Sequence, residues 1–119
     1  MFYIVEHMTS ETTSSLGEFE QLILLALLRL GENAYGATIH HELQKRTGRE
    51  VSISAVYTTL DRLEEKQMVS FRIGEPTPRR GGRRKKFYRM EAQGAEALAR
   101  SYREYRGMIA GLERQLEKL

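Results

Sequence analysis

The sequence predicts a mainly α fold of the α+β type: three helices, a two-stranded hairpin and a long C-terminal helix in 119 residues. Three observations predict it. Apolar residues recur at helical spacing in three early segments. Two short β-prone runs flank a loop that holds both prolines. Residues 92–119 carry one unbroken heptad pattern. The length suits one domain with a single core. The absence of Cys excludes a disulfide scaffold, a thiolate metal site and a cysteine nucleophile.

Residues 1–14 read as a disordered lead-in, polar and turn-rich from Glu6 onward. Residues 1–8 need not belong to the domain. Met1–Val5 is apolar but too short for a signal h-region and has no basic residue before it. The longest apolar run, Leu22–Leu28, is far short of the ~20 residues that span a bilayer. A soluble, cytoplasmic protein is expected.

Ser15-Leu16-Gly17-Glu18 has capping-box spacing, so the first helix should start at Ser15. Phe19, Leu22, Ile23, Leu24, Leu25, Ala26, Leu27 and Leu28 make it apolar nearly all round, which calls for cover on more than one face. Gly31 suits its left-handed end. A second helix spans Tyr35–Arg46 with Ile39 and Leu43 on one face, and Thr47-Gly48 closes it. Val51 then suggests a strand of one or two residues.

The third helix spans Ser54–Lys66, capped by Ser52 or Ser54. Ile53, Val56, Leu60 and Leu63 form its apolar stripe. Ser54, Thr58, Arg62 and Glu65 lie opposite, and Tyr57 falls on the boundary. Met68–Ile73 holds Val69, Phe71 and Ile73 at period two, Gly74–Gly82 is a loop, and Lys86–Met90 is the returning strand.

Charge is unevenly spread. The net +3 divides into −4 over residues 1–71, +7 over 72–89 and zero over 90–119. The positive excess therefore sits on the hairpin, with Arg79, Arg80, Arg83, Arg84 and Lys85 at its tip. A shaped basic element of this kind calls for a polyanion. In the last segment Ala95, Leu98, Tyr102, Tyr105, Ile109, Leu112, Leu116 and Leu119 are spaced 3-4-3-4-3-4-3. A helix over Ala92–Leu119 would run about 42 Å at ~1.5 Å per residue. The rest of the chain is too small to bury that stripe, so a second copy is the expected cover, with Leu98, Tyr102, Tyr105, Ile109, Leu112 and Leu116 at the interface.

Three helices, a strand, a basic loop and a strand follow the order of a winged helix-turn-helix. Residues 15–91 would form that domain and residues 92–119 a dimerisation helix. In this arrangement the third helix enters the major groove by its N-terminal half, and the wing follows the flanking backbone. Ser54, Thr58 and Arg62 are the candidates for base edges. Tyr57 and the five tip cations are the candidates for phosphates. The partner expected is a palindromic duplex read by a homodimer.

Other classes fit less well. A surface protein of anionic membranes would need apolar residues near the loop tip, and Gly74–Lys86 has none beyond its prolines. A coiled-coil interaction module would leave the wing charge unused. No catalytic constellation appears, so an enzyme is not expected. His40-His41-Glu42 points its side chains in different directions on a helix and reads as a solvated face, so neither metal nor cofactor is expected. Tyr102 and Tyr105 either fill the seam or line a pocket, because a hydroxyl needs a partner in a tight seam.

The runs Leu16-Gly17-Glu18-Phe19-Glu20, Leu24–Leu28 and Ala34-Tyr35-Gly36 resemble the PadR family of bacterial transcriptional regulators. Ser54-Ala55-Val56-Tyr57-Thr58-Thr59-Leu60-Asp61-Arg62-Leu63-Glu64 is similar to that family's recognition helix. Glu75–Arg83 resembles its wing, and Phe87-Tyr88-Arg89-Met90 its returning strand. The resemblance covers roughly residues 16–119, and its specificity lies in the order and spacing of the motifs together. It implies a dimeric DNA-binding protein, usually a repressor, whose C-terminal helix packs on the partner's first helix. It further implies relief by a small aromatic or drug-like effector, phenolic acids included, with Phe19, Ile23, Tyr102, Tyr105 and Ile109 as pocket candidates. The sequence departs from the family at Gln67, where Gly is usual after the recognition helix. A left-handed backbone there would cost on the order of 1 kcal/mol. It departs also at Ser54, often Gly, and at Glu91, usually a Thr that caps the last helix.

Overall fold

The computed structural model describes residues 15–75 and 84–119. Helix α1 spans Glu18–Leu30. Its cap lies two residues beyond the expected one: the Glu20 carboxylate accepts from the Gly17 N–H at 2.8 Å. The same carboxylate accepts from Lys66 Nζ at 2.9 and 3.0 Å. A tertiary partner thus fixes Glu20, and with it the start of the helix. Gly31 ends α1 with φ +60 and ψ −127, a glycine conformation but not the left-handed helical one expected. Ile23, Leu24, Ala26 and Leu27 are buried, whereas Leu25 and Leu28 remain 44% and 58% exposed. Among the described residues, one face of α1 is therefore only partly covered.

After a 3-10 turn over Gly31–Asn33, helix α2 spans Gly36–Thr47, buries Ile39 and Leu43, and ends at left-handed Gly48. Val51 forms no strand. It is half-buried, and its carbonyl is hydrogen-bonded to His40 Nε2.

Helix α3 spans Ile53–Glu65, and Ser52 caps it by accepting from the Ala55 N–H at 3.1 Å. Val56, Leu60 and Leu63 are fully buried, and Thr59 joins them. Ile53, the first residue of the helix, does not: it is 43% exposed. Lys66 is the C-cap residue just past the end of the helix. Gln67 then adopts φ +63, its N–H donates to Glu64 O, and the Met68 N–H donates to Leu63 O, each at 2.9 Å. That is a complete Schellman motif with Gln where Gly is favoured.

Strands β1, Val69–Ile73, and β2, Lys86–Met90, pair antiparallel from Val69↔Met90 to Ile73↔Lys86. The Tyr88 N–H donates to Ala34 O at 2.8 Å, which ties the hairpin to the turn before α2. Val69 and Tyr88 face the core.

Helix α4 spans Ala92–Ile109. Glu91 occupies the cap position but does not cap with its side chain. Its carboxylate accepts instead from Ser70 Oγ and from Arg89 Nε, so it turns to the hairpin. Gly94 lies on the Met68 carbonyl so closely that a Cβ there would overlap it.

The last segment is not one helix. Ala110 leaves the helical region at φ −51 and ψ 125, Gly111 takes φ +88, the Leu112 N–H donates to Ile109 O across this turn, and a separate helix α5 spans Glu113–Lys118. Gly107 and Gly111 weaken this stretch by about 1 kcal/mol each relative to Ala. Residues 110–119 are exposed, so no packing offsets that loss. The heptad seam is divided accordingly. Leu98 is buried in the chain's own core, Tyr102 and Tyr105 are exposed, Ile109 is half-buried, and Leu112 and Leu116 follow the break. Among the described residues no helix is long and apolar enough to cross a membrane.

Candidate nucleic-acid interface

Burying Val56, Thr59, Leu60 and Leu63 turns the opposite side of α3 to solvent. Ser54, Tyr57, Thr58 and Arg62 are all exposed there. Ser54 and Thr58 are small, which lets the helix approach another surface at its N-terminal half. Tyr57 reaches across to the first residue of α2. A Cβ at Gly36 would overlap the Tyr57 hydroxyl, so glycine is what admits the phenol there. Asp61, Glu64 and Glu65 are also exposed. The C-terminal half of α3 is therefore acidic, and a polyanion can be met only by the N-terminal half and Arg62. Sequence reasoning weighed the small and basic residues of this face and passed over Asp61, although it is adjacent to Arg62.

Both ends of α3 are tied to the first turn of α1. Lys66, just past its end, pairs with buried Glu20. Arg49, in the loop before it, pairs with Glu18 at 2.6 Å.

Of the predicted tip cations, Arg79, Arg80 and Arg83 lie outside the described residues. Arg84 is exposed. Lys85 is half-buried, with its ammonium 4.8 Å from the Tyr35 ring centroid. The strands add cations that sequence reasoning counted as charge but gave no place. The Arg72 guanidinium lies 4.6 Å from the Phe87 centroid, and Lys86 Nζ lies 4.2 Å from that of Phe71. Arg72 and Phe87 are direct cross-strand partners, so the strand register was the signal that could have found this pair. Arg89 is exposed and bonded to Glu91. The hydrogen bonds from Ser70 and then Arg89 hold the Glu91 carboxyl below its ordinary value. Burial, reinforced by Asp61, Glu64 and Tyr57, pushes the Tyr88 hydroxyl up to about 12, which keeps it neutral beneath this surface.

The five residues expected to line an effector pocket are not brought together. Tyr102 and Tyr105 border an apolar groove of about 610 Å³ between α1 and α4, with Leu25, Leu28, Met90 and Leu98. Phe19 faces a different cavity of about 580 Å³, beside Val51 and Ala55. Ile23 is fully buried in the core, and Ile109 lies in the last turn of α4. Phe19 and Ile23 occupy one face of α1, and Leu25 and Leu28 the other. Among the described residues no group of three or more His, Asp or Glu side chains could hold a metal ion.

The profile of the transcriptional regulator PadR-like family matches residues 24–100. Solved structures with the same fold include a PadR family transcription regulator from Clostridium difficile R20291. It is 22% identical with a TM-score of 0.65, over 84% of this chain and 99% of that one. A PadR family regulator from Eggerthella lenta DSM 2243 is 23% identical with a TM-score of 0.63, over 98% and 95%. The Aeropyrum pernix ORC1 protein, solved in complex with DNA, is 21% identical with a TM-score of 0.59, over 76% of this chain and 26% of that one. A search of curated proteins finds no match. The family is one of transcription regulators and not of enzymes. With its profile covering more than half of the residues, on a winged-helix frame, the chain belongs to the PadR-like family of transcriptional regulators.

Proposed function

We propose that the chain is a homodimeric, sequence-specific DNA-binding repressor of the cytoplasm. The observation that carries this reading is the exposed N-terminal half of α3, with Ser54, Tyr57, Thr58 and Arg62, beside the exposed hairpin cations Arg72, Arg84, Lys86 and Arg89. Arg62 and Thr58 read base edges, with Ser54 allowing close approach. Tyr57, Arg79, Arg80, Arg83, Arg84 and Lys85 bind phosphates. A second copy covers the groove between α1 and α4 and the exposed Leu112 and Leu116. The two recognition helices then meet half-sites of an imperfect palindrome about 34–36 Å apart.

The test is equilibrium binding of the full chain to a duplex it selects from a random pool, and to a scrambled one, over a range of salt. Arg62→Ala should lose discrimination, by about 1–3 kcal/mol at one base pair. Neutralising Arg79 and Arg80 should weaken both duplexes alike and flatten the salt dependence by about one unit per lost phosphate contact. Indistinguishable behaviour of the two variants on both duplexes rejects the assignment. A small aromatic effector would lodge in the part of this groove that Tyr102 and Tyr105 border, beneath the second copy, and would release the duplex by shifting that copy. Titrating an aromatic dye into the protein–DNA complex checks this, with Tyr102→Ala as the variant that should blunt the release.

A further inference from the structure

We propose that Tyr35 and Phe87 are positioning residues for DNA: they form an aromatic bracket that holds the two cations at the base of the wing, Lys85 and Arg72, in place before a duplex arrives. This rests on the reading of the hairpin as a phosphate-binding wing.

The two rings meet edge to face, with centroids 5.4 Å apart and planes at 67°. Each carries one cation. Arg72 lies 4.6 Å from the Phe87 centroid and Lys85 lies 4.8 Å from that of Tyr35. Both distances are within the ~6 Å over which a ring quadrupole attracts a cation. The bracket spans two elements, since Tyr35 precedes α2 and Phe87 lies in β2.

Both rings are fixed by the backbone around them. A Cβ at Gly74 would come within 2.6 Å of Phe87 Cε1, so that glycine makes the room the ring occupies. The Gly74 N–H also donates to Lys85 O at 2.8 Å, which sets the backbone from which the lysine reaches Tyr35. The Tyr35 N–H donates to Thr38 Oγ1 at 3.0 Å, and Tyr88, next to Phe87, donates to Ala34 O, next to Tyr35. The link between the two rings is thus braced on both sides.

The chemistry follows from what a ring face takes from a cation. It attracts the charge without consuming an N–H donor as a carboxylate would, so the donors remain available to phosphate oxygens. It also restricts long side chains that would otherwise lose much rotamer freedom on binding DNA. Arg89 is the contrast on the same strand, because its guanidinium is already engaged by the Glu91 carboxylate. The bracket therefore acts on every duplex alike and contributes to affinity, not to base choice.

The test uses the full chain, a duplex it selects from a random pool, and a scrambled duplex. Phe87→Leu and Tyr35→Leu should each weaken binding to both by about threefold, the size expected for an exposed cation–π contact. The salt dependence should stay unchanged, because the cations remain. Arg72→Met and Lys85→Met should instead lower the salt slope by about one each. Tyr35→Phe should bind as the parent does, because the ring and not the hydroxyl holds the lysine. In a double-mutant cycle, Phe87→Leu should cost little once Arg72 is Met. Thermal unfolding of each variant corrects for the folded fraction, and half-buried Tyr35 keeps the test open if Phe87→Leu fails to fold. Unchanged or tighter binding in Tyr35→Leu overturns the proposal, since the ring would then be idle or would be withholding the lysine. Unchanged salt slopes in both Met variants overturn it as well. A parent chain that binds no duplex in any salt rejects the DNA-binding reading itself, a failure distinct from either of these.

Discussion

Replacing Gln67 by glycine should stabilise the domain by about 1 kcal/mol, and the magnitude follows from the end of α3. Gln67 is the non-glycine residue with positive φ among the described residues, at +63. An L-residue in this region loses roughly 1–2 kcal/mol to contact between its Cβ and the following carbonyl. Glycine removes that cost but returns about 0.4–1 kcal/mol through the entropy of the unfolded chain. The side chain is exposed, so little packing is lost. Both hydrogen bonds of the motif are backbone bonds and survive the change.

Urea unfolding at fixed protein concentration measures the effect, since any subunit association makes stability depend on concentration. The midpoint should rise with no change in slope, and the melting temperature should rise by about 4 °C for a domain near this size. Gln67→Ala is the control. It keeps a Cβ in the left-handed region and should gain nothing. Equal stability of the Gly and Ala variants would refute the reasoning, because the benefit is assigned wholly to removal of that Cβ.

Four further outcomes are expected. Lys66→Met leaves Glu20, 5% exposed, without its cation and should destabilise by about 2 kcal/mol, less than a fully buried pair because the lysine is 28% exposed; chemical denaturation checks it. Tyr88→Phe should alter the alkaline limb of stability. With the folded value raised from 10.0 to about 12, the parent's stability is complete below pH 10 and declines as pH rises from 10 through 12. The variant should lack that decline, as read from the parent-minus-variant difference in urea midpoints. Gly94→Ala drives a methyl into the Met68 carbonyl, a backbone atom that cannot give way, and should cost about 1–3 kcal/mol in the same assay. The atoms nearest a methyl at Gly36→Ala belong to the Tyr57 phenol, an exposed ring that can swing aside. It should leave stability nearly intact while weakening duplex binding in a gel shift.

What was legible in the sequence and what was not differ by the range of the forces involved. The hairpin strands, the closure of α2 at Gly48 and the buried Val56, Leu60 and Leu63 follow from period and turn chemistry, which are local. So does the question posed by Gln67, since only its neighbours decide whether a Schellman motif closes. The start of α1 was misplaced because Glu20 answers to Lys66, 46 residues away. Val51 lacks a strand partner and spends its carbonyl on His40. The continuous last helix failed for a related reason. A heptad pattern states which residues share a stripe, but a stripe stabilises a helix only where something covers it. From Ala110 onward nothing among the described residues does, and Gly111 breaks the helix there.

The candidate site divides along the same line. The face of α3 was readable because a single helix has one buried side, and its outer side follows at 100° per residue. The effector residues were not, because α1 has two apolar faces and sequence alone does not say which one meets α4. Ile23 faces the core, and Phe19 the loop before α3. Leu25 and Leu28 face the groove that Tyr102 and Tyr105 border. Charge behaves likewise. A count places +7 on residues 72–89, but it treats all cations as equal. The fold separates them: Arg89 is engaged by Glu91, while Arg72, Lys85 and Lys86 lie on ring faces. Those pairings depend on strand register and on the turn before α2, so the wing's electrostatics are set by tertiary structure even though its net charge is written in the sequence.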